Sequence, residues 1–337
     1  MERESITFYC GVSHGFWSYH RAEPGPLICI SPIVGDGSGK FRPTGVYVPD
    51  GTLVLQDSGA YGEPLSAFSR RLTFAYALKR QEQHAEKYNY SDKIAYRASY
   101  DLLVDHRMIA EKGSSVRKIV RCNGITGIEA VDITVRAAKF IDKHRSGYHL
   151  ALNAQGSTPI QYFQCVQKIM PLFQDGDVLG LGGCCIIGRK PSMMHDFLEM
   201  LSLVIPFAAS EGVKRVHLYG SIYTPALSAC LAICDHHGIA MSTDSAFPSF
   251  APRLGKWGYG SWRRSKYSRP PVLPSCKTQS CELGTNCLGL KCIEHIKLTR
   301  EWLSNFRERE SERYQFYARN LDQYCLGQVL DLDLEDV

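Results

Sequence analysis

Three aspartates in this chain each stand where a short apolar run gives way to turn residues. Asp57 follows L-V-L-Q and leads into S-G-A-Y-G, Asp101 closes A-S-Y-D, and Asp244 follows I-A-M-S-T and leads into S-A-F-P-S-F. A single acid in such a place is most simply a cap on a turn. Several on one surface can do more. One carboxylate can attack or stabilise a carbon that becomes cationic, such as a sugar anomeric centre, while another moves protons. Other apolar runs end in polar or compact groups: Gln155 and Gly156 in N-A-Q-G-S-T, Gly182 and Gly183 in L-G-L-G-G, and Tyr219 and Gly220 in H-L-Y-G-S. An amide and bare backbone suit a planar, hydrogen-bonding ligand, because glycine lets such a ligand approach the main chain closely.

These groups need elements that gather them. Short apolar runs start at Ile6, Leu27, Leu53, Ile94, His149, Asp177, Val216 and Ile239, and several are too apolar for a sheet with one wet face. Helical spacing falls between the later runs, at 127–145, 159–173, 191–211 and 225–237. Thr158-Pro159 and Thr224-Pro225 read as an N-cap followed by proline in the first helical turn. The expected fold is α/β, a (β/α)8 TIM barrel with a C-terminal zinc-binding segment and helix. In such a barrel the strand ends that carry the aspartates form the active-site rim. An open doubly wound sheet is the alternative, but no G-x-G-x-x-G opens a helix. The catalytic barrel is expected over 1–270, with a Gly- and Pro-rich loop or hairpin insertion at 33–52. Residues 271–337 are expected to hold the zinc-binding segment, a long charged helix from about Ile293 to Tyr324, and an acidic tail.

Composition narrows the setting. Hydrophobic residues at 44% and charged residues at 22% describe a globular chain with a substantial core. The most apolar stretch, from Phe197 to Ala209, is interrupted by Glu199 and Pro206, so no membrane span is expected. The first residues, M-E-R-E-S-I-T-F, do not read as a signal peptide. Thirteen cysteines with no export signal suggest a reducing compartment, where clustered thiols hold metal rather than form disulfides. A cytoplasmic location is therefore expected.

The net charge of +5 is mild, but it is unevenly spread. Between Ala251 and Pro270 lie Arg253, Lys256, Arg263, Arg264, Lys266 and Arg269 with no acid, interleaved with Trp257, Tyr259, Trp262 and Tyr267. Cations for phosphates and rings for bases are what single-stranded or distorted nucleic acid demands. A solvated basic loop is the plainer alternative. Beyond it, C-K-T-Q-S-C-E-L-G-T-N-C-L-G-L-K-C-I-E-H supplies Cys276, Cys281, Cys287, Cys292 and His295. That density of thiols suits a closed structural Zn2+ site using four of the five, with Cys276 or His295 the one to drop out. An iron–sulfur cluster or unliganded thiols are the alternatives. Cys184 and Cys185, after the glycine pair, are expected in a pocket wall.

Taken in order, these motifs resemble those of the tRNA-guanine transglycosylases and their DNA-acting relatives of the DpdA type. D-S-G-A-Y at 57–61 resembles the family's D-S-G-G-F, and Q-G-S at 155–157 partly matches its Q-G-G. G-G-C-C-I-I-G at 182–188 is similar to G-G-L-A-x-G, and H-L-Y-G-S-I-Y-T-P at 217–225 to Y-L-M-G-x-G-x-P. T-D-S-A-F-P-S-F aligns with the nucleophile motif, an Asp before a Pro-containing loop. The resemblance implies base exchange in a nucleic acid, with Asp244 as nucleophile and Asp57 as general acid/base. Asp101 would hold the purine edge, helped by Gln155, Gly182 and Gly183, with Tyr219 and Gly220 completing the pocket. The entering base would be a 7-deazaguanine such as preQ0.

The departures favour DNA over tRNA as polymer. There is no R-N-A-R-N-G-like stretch after the nucleophile, Ala60-Tyr61 replaces Gly-Phe, and no added RNA-binding domain is evident. The zinc spacing also differs from the family's C-x-C-x-x-C with a distant His. A bacterial or phage-infected cell, with a phage or restriction role, is the implied setting, and the reading admits a protein partner. The alternatives are a tRNA-guanine transglycosylase, a non-catalytic nucleic-acid-binding subunit and a glycoside hydrolase. Retention of both Asp57 and Asp244 argues against the subunit, and a hydrolase would not need the basic aromatic stretch.

Overall fold

A computed structural model describes residues 4–12, 26–32, 34–35, 41–42, 48–60, 73–102, 126–184, 191–246, 248 and 286–321. Eight parallel strands close into a barrel: β1 (Thr7–Val12), β2 (Leu27–Ile30), β5 (Leu53–Gln56), β6 (Ile94–Ala98), β7 (His149–Ala154), β8 (Val178–Leu181), β9 (Arg215–Leu218) and β10 (Ala240–Ser245). Each pairs with the strand before and after it in the chain, and β10 returns to β1 with Tyr9 opposite Asp244. Between β2 and β5, β3 (Val34–Gly35) and β4 (Phe41–Arg42) form a small antiparallel hairpin within the expected insertion.

The strands are buried on both faces for different reasons. Outward residues such as Ile28, Val54, Leu179 and Leu218 are fully covered by the surrounding helices. Each contributes roughly 1.5–3 kcal/mol relative to exposure. Inward residues Tyr9, Cys29, Leu55, Ala98, Ala151 and Val178 form their own cluster and fill the barrel. The interior is therefore a packed plug, and a ligand can be met only at its ends.

The connecting helices begin where their capping residues direct. Helix α1 (Phe74–Lys87) starts behind Thr73, whose Oγ1 accepts the Tyr76 N–H at 3.2 Å. Helix α2 (Gly127–Lys143) opens with a full capping box: Thr126 Oγ1 accepts the Glu129 N–H at 3.2 Å, and Glu129 Oε2 accepts the Thr126 N–H at 2.8 Å. Helix α3 (Pro159–Ile169) follows the expected Thr158 cap. Helix α4 (Pro191–Ser210) contains a stretch, Met193–Ser210, long and apolar enough to cross a membrane. Here it packs in the barrel's helical ring between its neighbours, with Phe197, Leu201, Val204 and Ile205 fully buried.

Two sequence expectations need correction. Thr224 is the first residue of α5 (Thr224–His236) rather than its cap, and Tyr223 precedes the helix without a side-chain cap bond. The long C-terminal helix is broken into α6 (Asn286–Ser304), α7 (Phe306–Arg309) and α8 (Ser311–Arg319). The first break occurs because the last carbonyls of α6 bind the chain leading into β1. Ser304 O accepts the Ser5 N–H at 2.9 Å, and Leu303 O accepts the Ile6 N–H at 3.1 Å. After the break, Arg307 Nε and Nη2 each donate to Asp235 on α5 at 2.6 Å, and Tyr314 donates to the same carboxylate at 2.9 Å. These bonds, with Trp302 Nε1 donating to Glu310 at 3.0 Å, favour a folded-back chain over a continuous rod.

Candidate active site at the barrel mouth

Side chains alternate along each strand, so residues two apart share the inward face. On β7 and just beyond it that face carries Asn153 and Gln155, on β9 it carries His217 and Tyr219, and on β10 it carries Ser242 and Asp244. Asp57 and Asp101 follow the ends of β5 and β6. The hydrogen bonds between these groups bring the three aspartates to one rim.

Asp101 is the most enclosed of them. Its Oδ1 accepts from Asn153 Nδ2 at 3.0 Å and from the Ser58 hydroxyl at 3.3 Å, and its Oδ2 accepts from Gln155 Nε2 at 3.2 Å. Gln155 is itself locked, because its Oε1 accepts from the Tyr162 hydroxyl and from the Gly156 N–H. Gly182 makes this arrangement possible. A Cβ there would stand 2.4 Å from Asp101 Oδ2 and 2.8 Å from Gln155 Nε2. The glycine expected to admit a ligand thus first admits the two side chains that would read it.

Asp57 is tethered to its own turn, with Oδ1 accepting the Ser58 N–H at 2.7 Å and further bonds from Gly59 N–H and the Ser31 side chain. Desolvation at the mouth, reinforced by the charge of Asp244, pushes its pKa up to about 6. Desolvation and the neighbouring charge of Asp57 push Asp101 up to about 7. Two carboxyl groups that can hold or release a proton near neutrality therefore stand together.

Asp244 is held differently. Its Oδ1 accepts the Gly220 N–H at 2.8 Å and lies 3.2 Å from His217 Nε2. Gly220 takes a left-handed turn (φ +68°) directly after β9, which brings its N–H to the carboxylate. The Cys29 thiol also bonds Asp244, and burial with the charges of Asp244 and Asp57 keeps that thiol protonated. Cys29 is therefore a donor to the carboxylate rather than a nucleophile.

Tyr219 sits among these acids. Its ring is partly exposed and stands edge-on to His217 at 4.5 Å, while its hydroxyl is buried and finds no hydrogen-bond partner among the described residues. Asn153 Oδ1 is likewise buried with no partner among the described residues. Such orphaned atoms are uncommon in folded proteins and mark places where a ligand's polar edge can be received. Gly180 lies beneath both, since a Cβ there would meet Asn153 Oδ1 at 2.2 Å and the Tyr219 ring at 2.7 Å.

The sequence candidates Asp57, Asp101, Gln155, Gly182, Tyr219, Gly220 and Asp244 thus meet at one end of the barrel. Gly183 follows Gly182 in a left-handed turn (φ +76°). Ser58, Asn153, His217 and Cys29 belong to the same cluster but were not singled out from sequence. The available signal was polar residues at alternate positions of a strand whose next inward residue was already a candidate, as in Asn153 before Gln155 and His217 before Tyr219.

Arg253, Lys256, Trp257, Trp262, Arg263, Arg264 and Lys266 lie outside the described residues, as do Cys185, Cys276 and Cys281. Cys287 and Cys292 fall on the opening turns of α6, where only the backbone is described. His295 is fully buried, and its Nδ1 lies 3.0 Å from the Pro248 carbonyl. A carbonyl can only accept, so Nδ1 carries the proton and Nε2 has the chemistry of a metal ligand. Of the expected zinc ligands, His295 alone has a described side chain, and this tautomer is the one a zinc ligand needs. A separate trio on α4, the exposed His195 and the half-buried Asp196 and Glu199, places ligand-type atoms within 4.8 Å of one another.

No protein-family model matches the chain, and no curated protein matches it.

Proposed function

We propose that this protein is a transglycosylase that exchanges guanine in DNA for a 7-deazaguanine base through a covalent intermediate on Asp244. The observation that carries the reading is the division of labour among three carboxylates on one rim. Asp244 is fixed by Gly220 and His217, whereas Asp57 and Asp101 are raised to about 6 and about 7. A fixed carboxylate suits attack on an anomeric carbon, and a carboxyl group near neutrality suits proton transfer to and from a base.

In the first half-reaction an Asp244 oxygen bonds to C1′ as the C1′–N9 bond breaks. The bonding pair passes to the purine, which takes a proton from the Asp57 carboxyl and leaves as neutral guanine. In the second, Asp57 as carboxylate removes the N9 proton of the entering 7-deazaguanine. That nitrogen bonds to C1′, and the Asp244–C1′ pair returns to Asp244. The proton count on the enzyme closes over one exchange. Asp101 and Gln155, with Asn153 Oδ1 and the Tyr219 hydroxyl as further polar contacts, would receive the edge of the base.

The target nucleotide must leave its stack to reach the mouth, at a cost of a few kcal/mol. The basic and aromatic residues between Arg253 and Lys266 are suited to offset that by binding phosphates and stacking on exposed bases. A structural Zn2+ held by four of Cys276, Cys281, Cys287, Cys292 and His295 would pin the segment that follows the nucleophile and would take no part in the steps above.

The test supplies purified protein with duplex DNA or tRNA and radiolabelled guanine or preQ0. Label entering DNA supports the proposal. Label in tRNA alone overturns the choice of polymer, and label in neither overturns the exchange reaction.

A further inference from the structure

His217 takes no proton and forms no bond in the steps above, and its contact with Asp244 belongs to a tightly held setting. Its side chain is fully buried, directly across from Ser242 in the β9–β10 register, with Asp244 the next inward residue on β10. Nδ1 lies 2.9 Å from Ser242 Oγ, and Nε2 lies 3.2 Å from Asp244 Oδ1. Two tyrosine rings hold the imidazole edge-on: Tyr9 at 5.7 Å and 79°, and Tyr219 at 4.5 Å and 74°. The ring cannot turn over without displacing one of them.

We infer that His217 is the positioning residue for Asp244, donating a hydrogen bond from Nε2 to Oδ1 and so fixing which carboxylate oxygen attacks. An ionised carboxylate can only accept, so Nε2 must carry hydrogen. The Ser242 hydroxyl can serve a bare Nδ1 as donor, or it can accept from a protonated one while donating to Val216 O, 3.2 Å away. In the first arrangement the ring is neutral and in the second it is an imidazolium, and in both the Nε2 proton faces Asp244. Oδ1 then receives two donors, His217 and the Gly220 N–H, and the carboxylate cannot swing about its last torsion. The reacting oxygen meets C1′ from one fixed position, the condition under which a small misplacement is costly.

The part His217 plays in base exchange rests on the proposed function, whereas the hydrogen-bond assignment does not. Both can be read on the full-length protein. Nitrogen NMR of 15N-histidine-labelled protein, with His217 assigned by comparison with His217→Gln, should show Nε2 protonated and its signal displaced in Asp244→Ala. A ring with its only proton on Nδ1 overturns the inference whether or not the protein exchanges bases.

The kinetic arm compares His217→Gln, whose amide nitrogen can reach the place of Nε2, with His217→Leu, which has no donor. Exchange should fall on the order of 100-fold in the leucine variant and by less than about 10-fold in the glutamine variant, with KM for the base unchanged in both. Equal losses in the two would contradict the positioning role. Wild-type protein without exchange activity but with the expected Nε2 proton would count against the reaction and leave the assignment standing.

Discussion

Gly182 and Asp101 share space that no side chain at position 182 could leave open. A Cβ there would fall 2.4 Å from Asp101 Oδ2, and the carboxylate could not keep its bond from Gln155. Gly182→Ala should therefore push Asp101 and Gln155 off the positions in which they face a base. The backbone at 182 is not in the left-handed region, so the fold should persist. Exchange should drop at least about 10-fold, mainly through a higher KM for the base, with a folded protein of modestly lower melting temperature. Wild-type kinetics would show that Asp101 does not contact the base.

Asp57 makes the folded state sensitive to pH in a particular direction. Its folded pKa of about 6 lies above the ordinary carboxylate value of 3.8, so between those values the folded protein holds a proton that the unfolded chain releases. Its contribution is complete below pH 4 and is lost as pH rises through 6. Asp57→Asn removes this loss. The variant should be more stable than wild type by about 1–3 kcal/mol at pH 8, and the difference should shrink toward zero near pH 4. Urea unfolding at both pH values measures this, and a difference that grows on acidification would refute the assigned shift.

Tyr219 carries a buried hydroxyl with no partner among the described residues. Leaving such a group unsatisfied costs about 1–3 kcal/mol. Tyr219→Phe should raise stability by around 1 kcal/mol and at the same time weaken base binding, because the hydroxyl finds its partner only when the site is filled. Calorimetric melting and a base-titration assay separate the two effects. Loss of stability in the phenylalanine variant would mean the hydroxyl is already satisfied.

Asp235 joins α5 to the folded-back C-terminal helices through Arg307 and Tyr314. Asp235→Ala should cost about 1–3 kcal/mol by leaving a partly buried guanidinium and a phenol without their acceptor. The loss should appear as a lower urea midpoint with an unchanged denaturant slope. Stability equal to wild type would mean that other contacts hold α7 and α8 in place.

The strands were legible in the sequence because a parallel barrel buries both faces of each one, leaving apolar runs such as Leu53–Gln56 and Val178–Leu181 that stand out from their surroundings. The acids at their ends were legible for the same reason, being the first charged residues after the run. Residues inside a run were not. His217 reads as an interior histidine until Asp244, brought beside it by strand pairing, gives its Nε2 an acceptor. Asn153 shows its role only through Asp101, fifty-two positions earlier in the chain. The break after Ser304 was equally hidden, because the partners that cause it, Ser5 and Ile6, come from the opposite end of the sequence.

The most direct test of the account is the covalent intermediate itself. Protein incubated with guanine-containing DNA and no entering base, then denatured, should yield a DNA adduct whose proteolytic fragment carries the sugar on Asp244. Asp244→Ala should give no adduct and no exchange. An adduct on any other residue, or full exchange by Asp244→Ala, would contradict the account at its centre.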